Sequence, residues 1–173
     1  MIRSASALLA FCTCVGVTAV GCASGDGAAA PTAPLPGDPA FVRDPALDVT
    51  VESAAGGTTS HNQGQSCMQC HQEHGPGRGR FTVAGTLHDA TGKPTSGGAV
   101  TLSASPSGPA VATLSVDALG NYFTTKDVGL DAKSLFVAVE GAGGVDKNAM
   151  PFPTLSGACN HCHTGSARVA LKP

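Results

Sequence analysis

The chain has no tryptophan and a single tyrosine, and aromatic residues make up only 4% of its 173 positions. A core so poor in large rings has to be assembled from small aliphatic side chains or supplemented by something other than protein. Charge is also scarce: charged residues are 13% of the chain, with 10 Lys and Arg against 12 Asp and Glu and a net charge of −2. Neither a basic patch nor a long run of like charge is present, which argues against nucleic acid as a partner. An uncharged apolar run over residues 7–20 falls short of the roughly 20 residues of a comfortable membrane span. No sustained helical period occurs. Residues 85–123 also carry no Ser/His/Asp or paired-carboxylate arrangement suited to catalysis. Asp89 and Asp117 sit in turn sequences, so the chain is not expected to be an enzyme.

What is present begins with an export signal: Arg3 followed by the apolar run. The run ends in AVGC, Ala19 to Cys22, which resembles the lipobox of bacterial lipoproteins, although Ala19 stands where that motif usually has leucine. The resemblance implies cleavage before Cys22, lipidation of Cys22 and attachment to a membrane, expected to be the outer membrane facing the periplasm or cell surface. An ordinary secretory signal cut nearby is the alternative, and it too exports the chain. Residues 1–21 are therefore expected to be removed. Residues 22–58, rich in Ala, Gly and Pro, are expected to form a flexible tether, because such composition buries too little surface to fold.

From residue 80 the pattern alternates with period two. Phe81, Val83, Gly85 and Leu87 share one face, and Thr82, Ala84, Thr86 and His88 the other. Similar alternation recurs around Val100, Leu114 and Val137, with Tyr122 and Phe123 opening another short strand and DATGKP, ASPSGP and DALGN as turns between runs. Short strands at this spacing predict a mainly β fold, an antiparallel β-sandwich over residues 80–141. GTLHDATGKPTSGGAVTL followed by VDALGNYF resembles the carboxypeptidase regulatory-like, transthyretin-like β-domains. That resemblance implies a transthyretin-like or Ig-like sandwich, and in that family Asp117, Gly120 and Asn121 match the second turn. It speaks to fold rather than activity. His88, alternating with threonines, is expected at the surface.

Four cysteines remain beyond Cys22, and all fall in two copies of one pattern: Cys67-Met68-Gln69-Cys70-His71 and Cys159-Asn160-His161-Cys162-His163. Cys-x-x-Cys-His is the attachment signature of c-type haem. Cysteines three apart stand about one helical turn from each other, so both sulfurs reach the two vinyl groups of one porphyrin. The following histidine then meets the iron as proximal ligand. A structural zinc site is the first competitor, yet zinc ribbons place their pairs roughly 15–20 residues apart and have no need of a histidine after each. Disulfides suit an exported chain, but a loop closed within one turn gains little. Two covalently attached haems c are expected, one on residues 59–79 and one on residues 142–173, flanking the β-domain.

With both motifs in place, the chain resembles a small dihaem member of the multihaem c-type cytochromes. Cys67, Cys70, Cys159 and Cys162 match the thioether cysteines, and His71 and His163 the proximal ligands. The large β-domain between the motifs departs from that family. His61 and Met150 each precede a motif on a loop and are the candidate sixth ligands, against readings as an exposed histidine and a packed methionine. His161 is a further candidate. Arg78, Arg80 and Arg168 are candidate propionate partners. The resemblance implies one-electron transfer with protein redox partners in periplasmic or cell-surface respiratory electron flow. A non-redox binding or adhesion module with zinc or disulfide staples, and a small haem peroxidase, are the alternatives.

Overall fold

The computed structural model describes residues 33–172; the signal segment and Cys22 lie outside the described residues. The alternating stretches fold as five strands, β1 (Val83–Thr86), β2 (Ala99–Ser103), β3 (Ala110–Ser115), β4 (Asn121–Thr124) and β5 (Phe136–Glu140), and a sixth, β6 (Lys147–Ala149), follows them among the described residues. They form two antiparallel sheets, a two-stranded one ordered β1-β4 and a four-stranded one ordered β3-β2-β5-β6. The fold is mainly β, and among the described residues helix is confined to single turns.

One apolar cluster draws on both sheets, with Val83 and Tyr122 from the first and Val100, Leu102, Leu114, Val137 and Val139 from the second. Leu87, Leu135 and Leu171 join it from the connections. Val100 and Leu102 are fully buried because alternate residues of β2 share one face, and β2 is paired on both edges, to β3 and to β5. The expected turns form for the expected reason. Asp89 Oδ1 accepts from the Thr91 and Lys93 amides at 2.8 and 3.0 Å, and Asp117 Oδ1 accepts from those of Leu119 and Asn121, each at 2.9 Å. Both are aspartates closing their own turns.

Strand β1 departs from the alternating expectation, because all four of its residues are buried. The C-terminal segment runs along the edge of β1 away from β4, and Asn160 and Gly64 close over Thr86. Ala84 bridges Ala158 in parallel, and His88 bridges Ala170. The amides of Ala84 and His88 donate to the carbonyls of Gly157 and Val169 at 2.9 and 2.8 Å. His88, expected at the surface, is therefore only 4% exposed. The segment of the second motif also contributes to the sheet, since β6 pairs with β5.

The stretch expected to be a free tether is docked over part of its length. Arg43 donates to the carbonyls of Leu47, Gln72 and Gly75 and pairs with Asp48. Glu52 bridges Thr124, and the Ser53 amide donates to Phe123 at 2.9 Å. Composition argued for free chain, but one guanidinium with three carbonyl acceptors and an open edge of β4 hold these residues down.

Burial of His88 has a pH signature. Desolvation chiefly lowers its pKa from the usual 6.5, helped by the Arg168 charge and opposed by the Val169 carbonyl. The unfolded chain thus binds the proton more readily, so stability present above the unfolded pKa is lost as pH falls through the lower folded value. The denaturation midpoint of the haem-free chain is expected to drop between about pH 8 and pH 5, and His88→Gln is expected to flatten that drop. An unchanged slope in the variant would remove His88 as the cause.

Candidate haem attachment sites

Each Cys-x-x-Cys-His stretch is wound into a single turn. The first is a 3-10 turn over Cys67–Gln69 in which the His71 amide donates to the Cys67 carbonyl at 3.0 Å. The second is helix α1 (Cys159–Cys162), where the His163 amide donates to the Cys159 carbonyl at 2.9 Å. In both turns the histidine follows the first cysteine by one helical repeat, so sulfur and imidazole rise from the same side. All four cysteines are free thiols. Burial pushes the thiols of Cys67 and Cys159 up from their usual range, which keeps both protonated.

The two histidines share a more telling feature. His71 Nδ1 lies 2.9 Å from the Arg78 carbonyl and 3.3 Å from that of Gly79. His163 Nδ1 lies 2.7 Å from the Ala167 carbonyl. A carbonyl only accepts, so a neutral imidazole in either place carries its proton on Nδ1 and leaves Nε2 with a free lone pair. This is the tautomer a metal-ligating histidine needs, fixed by a main-chain partner. At the first site glycine makes it possible. A Cβ on Gly77 would come within 2.7 Å of the His71 ring and 2.8 Å of the Cys70 carbonyl, so only glycine lets residues 77–79 close over the imidazole.

Each motif opens on its own cavity. One, of about 520 Å³, is lined by Cys67, Cys70 and His71 together with His61, Phe81 and Phe123. The other, of about 680 Å³, is lined by Cys159, Cys162 and His163 together with Met150, Phe152 and Tyr122. Both volumes fall within the roughly 300–1,000 Å³ of cofactor pockets. In the first, His71 stacks on Phe81 with ring centres 3.9 Å apart and planes 7° apart, and Phe81 in turn stacks on Phe123 at 4.8 Å. His61 and His71 have ring centres 6.0 Å apart. Two imidazoles bonded across one metal ion at about 2.0–2.1 Å each hold their ring centres roughly 6 Å apart. The residues present therefore fit a haem in size, in donor set and in histidine tautomer.

The other candidates separate. His61 lines the first cavity and Met150 the second, whereas His161 lines neither. Met68 lines a third, smaller cavity of about 340 Å³. Arg78 faces the first cavity and Arg168 the second, while Arg80 pairs with Asp48 at 3.2 Å. Among the described residues no three or more His, Cys, Asp or Glu side chains converge as a metal cluster.

Sequence reasoning missed the residues that hold the two segments in place. Asn160, inside the second motif, is 2% exposed. Its Oδ1 accepts from the Thr86 amide at 3.0 Å, and its Nδ2 donates to Thr86 Oγ1 at 3.0 Å and to the Gln65 carbonyl at 2.8 Å. Thr86 Oγ1 donates to Asn121 Oδ1 at 2.7 Å and accepts from the Gly64 amide at 2.8 Å. Asn121 Nδ2 reaches Ser60 Oγ and the His61 carbonyl at 3.0 and 3.1 Å. Small polar residues on an alternating strand ordinarily point to water, so the pattern carried no sign of this network.

The chain matches no protein-family model, no curated protein and no solved structure.

Asn160→Ala strips the Gln65 carbonyl and the Thr86 amide of partners. Because buried groups left unpaired cost about 1–3 kcal/mol, the haem-free chain is expected to lose about 2–3 kcal/mol in a denaturant titration, with faster amide exchange over residues 60–65. A neutral effect on both readouts would show that the network does not hold the first segment.

Proposed function

We propose that the protein is an exported dihaem c-type cytochrome that passes single electrons between protein partners. The observation that carries this reading is the matched pair of histidines, each at the end of a one-turn Cys-x-x-Cys, with Nδ1 committed to a carbonyl and Nε2 left to ligate. Bound haem supplies an iron that alternates between ferrous and ferric states. Cys67 and Cys70 would hold one haem with His71 as proximal ligand, and Cys159 and Cys162 the other with His163. His61 and Met150 are the proposed sixth ligands, one in each cavity.

Further support comes from the apolar rim of the second cavity. Phe152 is 62% and Leu155 74% exposed, and both line that cavity. Full burial of such a side chain is worth about 1.5–3 kcal/mol, so a porphyrin seated there recovers apolar contact that the protein alone leaves in water. The zinc reading requires four converging ligands, and the pairs open on separate cavities. The finer fold assignment, a transthyretin-like sandwich carrying the two sites, is part of the same proposal and rests on the turn and strand sequences.

Expression with c-haem maturation machinery is expected to add two haem masses to the chain, and Cys67→Ala with Cys70→Ala to remove one. His61→Ala is expected to alter the spectrum of the haem on Cys67 and Cys70, and Met150→Ala that of the other, with the Met-ligated haem at the higher potential. Four free thiols after maturation would overturn the reading, and two identical haems indifferent to Met150→Ala would overturn the ligand assignment.

Attachment to a membrane by acyl chains on Cys22 completes the proposal. Each buried CH₂ contributes about 0.8 kcal/mol, so two or more chains anchor firmly. Cys22→Ala is expected to release the protein from membranes or to block its processing. Unchanged partitioning together with unchanged processing would refute lipidation.

A further inference from the structure

Tyr122 is fully buried, and its hydroxyl is the one buried side-chain polar atom among the described residues without a hydrogen-bond partner. An unpaired phenol inside a core is costly, and phenylalanine would fill the same space without that cost. The hydroxyl also sits at a particular place. Tyr122 lines the cavity of Cys159, Cys162 and His163. A Cβ on Gly85, opposite Tyr122 in the β1–β4 register, would fall 2.3 Å from the hydroxyl oxygen and 2.9 Å from Cys159 Cβ. Glycine at 85 thus leaves open the space into which the phenol and the Cys159 side chain both reach. Burial first, and then the Cys159 and Cys67 sulfurs beside it, push the phenol's pKa well above its usual range, which keeps the hydroxyl protonated and able to donate.

We propose that the Tyr122 hydroxyl is a positioning group for the second haem site, donating its hydrogen bond to the Cys159 sulfur once that sulfur is a thioether. The inference rests on the haem reading of the Cys159 motif. The free Cys159 thiol gives its own proton to the Gly157 carbonyl at 3.5 Å, whereas a thioether sulfur has no proton and is an acceptor only. Attachment therefore ends the sulfur's donor role and leaves it free to accept from the phenol beside it. A hydrogen bond to that sulfur withdraws electron density and favours the reduced iron. No tyrosine lines the first cavity, whose rings are those of Phe81, Phe123, His61 and His71.

Tyr122→Phe in the fully loaded chain tests this, with the potentials of both haems measured together. The haem on Cys159 is expected to fall in potential by a few-fold to tenfold in its reduction equilibrium, at most about 59 mV for one electron. The haem on Cys67 and Cys70 is the internal control and is expected to stay unmoved. In a Cys159→Ala background, where Cys162 retains the haem, Tyr122→Phe is expected to have no further effect. Because Tyr122 is the sole tyrosine and tryptophan is absent, ultraviolet resonance Raman reads this one phenol, which is expected to become a donor on haem attachment. A shift of equal size in both backgrounds, a shift at both haems, or no shift at all overturns the inference while leaving the cytochrome reading intact. A chain that takes up no haem overturns that reading, and this inference falls with it.

Discussion

The hydroxyl of Thr86 is the point on which both candidate sites depend. It donates to Asn121 and accepts from Asn160 and from the Gly64 amide, which saturates its one proton and two lone pairs. Through Asn121 it holds residues 60–61 of the segment before the first motif, and through Asn160 it holds the turn of the second. The network lies within the protein rather than at its surface, so each bond is strengthened and each omission penalised. Two segments far apart in sequence are thereby fixed to one strand, and the sheets act as the frame on which they are mounted.

A frame of this kind answers a difficulty set by composition. The described residues bury few large side chains, and Tyr122 is the only aromatic ring among the fully buried ones. A protein of this size with a modest aliphatic core gains from any further apolar surface it can enclose. Under the proposed function, two porphyrins supply it. The stacked His71, Phe81 and Phe123 rings form one ready apolar wall, and the loop carrying Phe152 forms the other.

The positions of β1 to β5, the turns at Asp89 and Asp117, and the single-turn winding of both Cys-x-x-Cys-His stretches were legible in sequence because each rests on local chemistry. Period two needs only neighbours, an aspartate closing a turn needs only the next few amides, and Cys-x-x-Cys-His needs only one helical repeat. What was not legible came from contacts across the chain. His88 and Thr86 carry a surface pattern and are buried because the C-terminal segment returns along the edge of β1. Arg43 lies in a stretch whose composition speaks for free chain, and its anchoring carbonyls stand about 30 residues downstream. Strand β6 reads Lys-Asn-Ala, with no strand propensity of its own, and forms because β5 offers it an edge.

The two sites share a motif but not an environment, and the cause is what precedes each motif. His61 is fixed through its carbonyl by Asn121, and Met150 through its amide, which donates to Val137 at 2.9 Å. In both cases the main chain is tethered to a strand by backbone groups, so the side chain has no hydrogen bond to give up before it ligates. A candidate ligand held this way is placed in advance and loses little further freedom on binding. Imidazole in one cavity and thioether in the other then make the two proposed irons unequal donors and acceptors. An electron passing between them would have a preferred direction, set by which loop the strands happen to hold beside each motif.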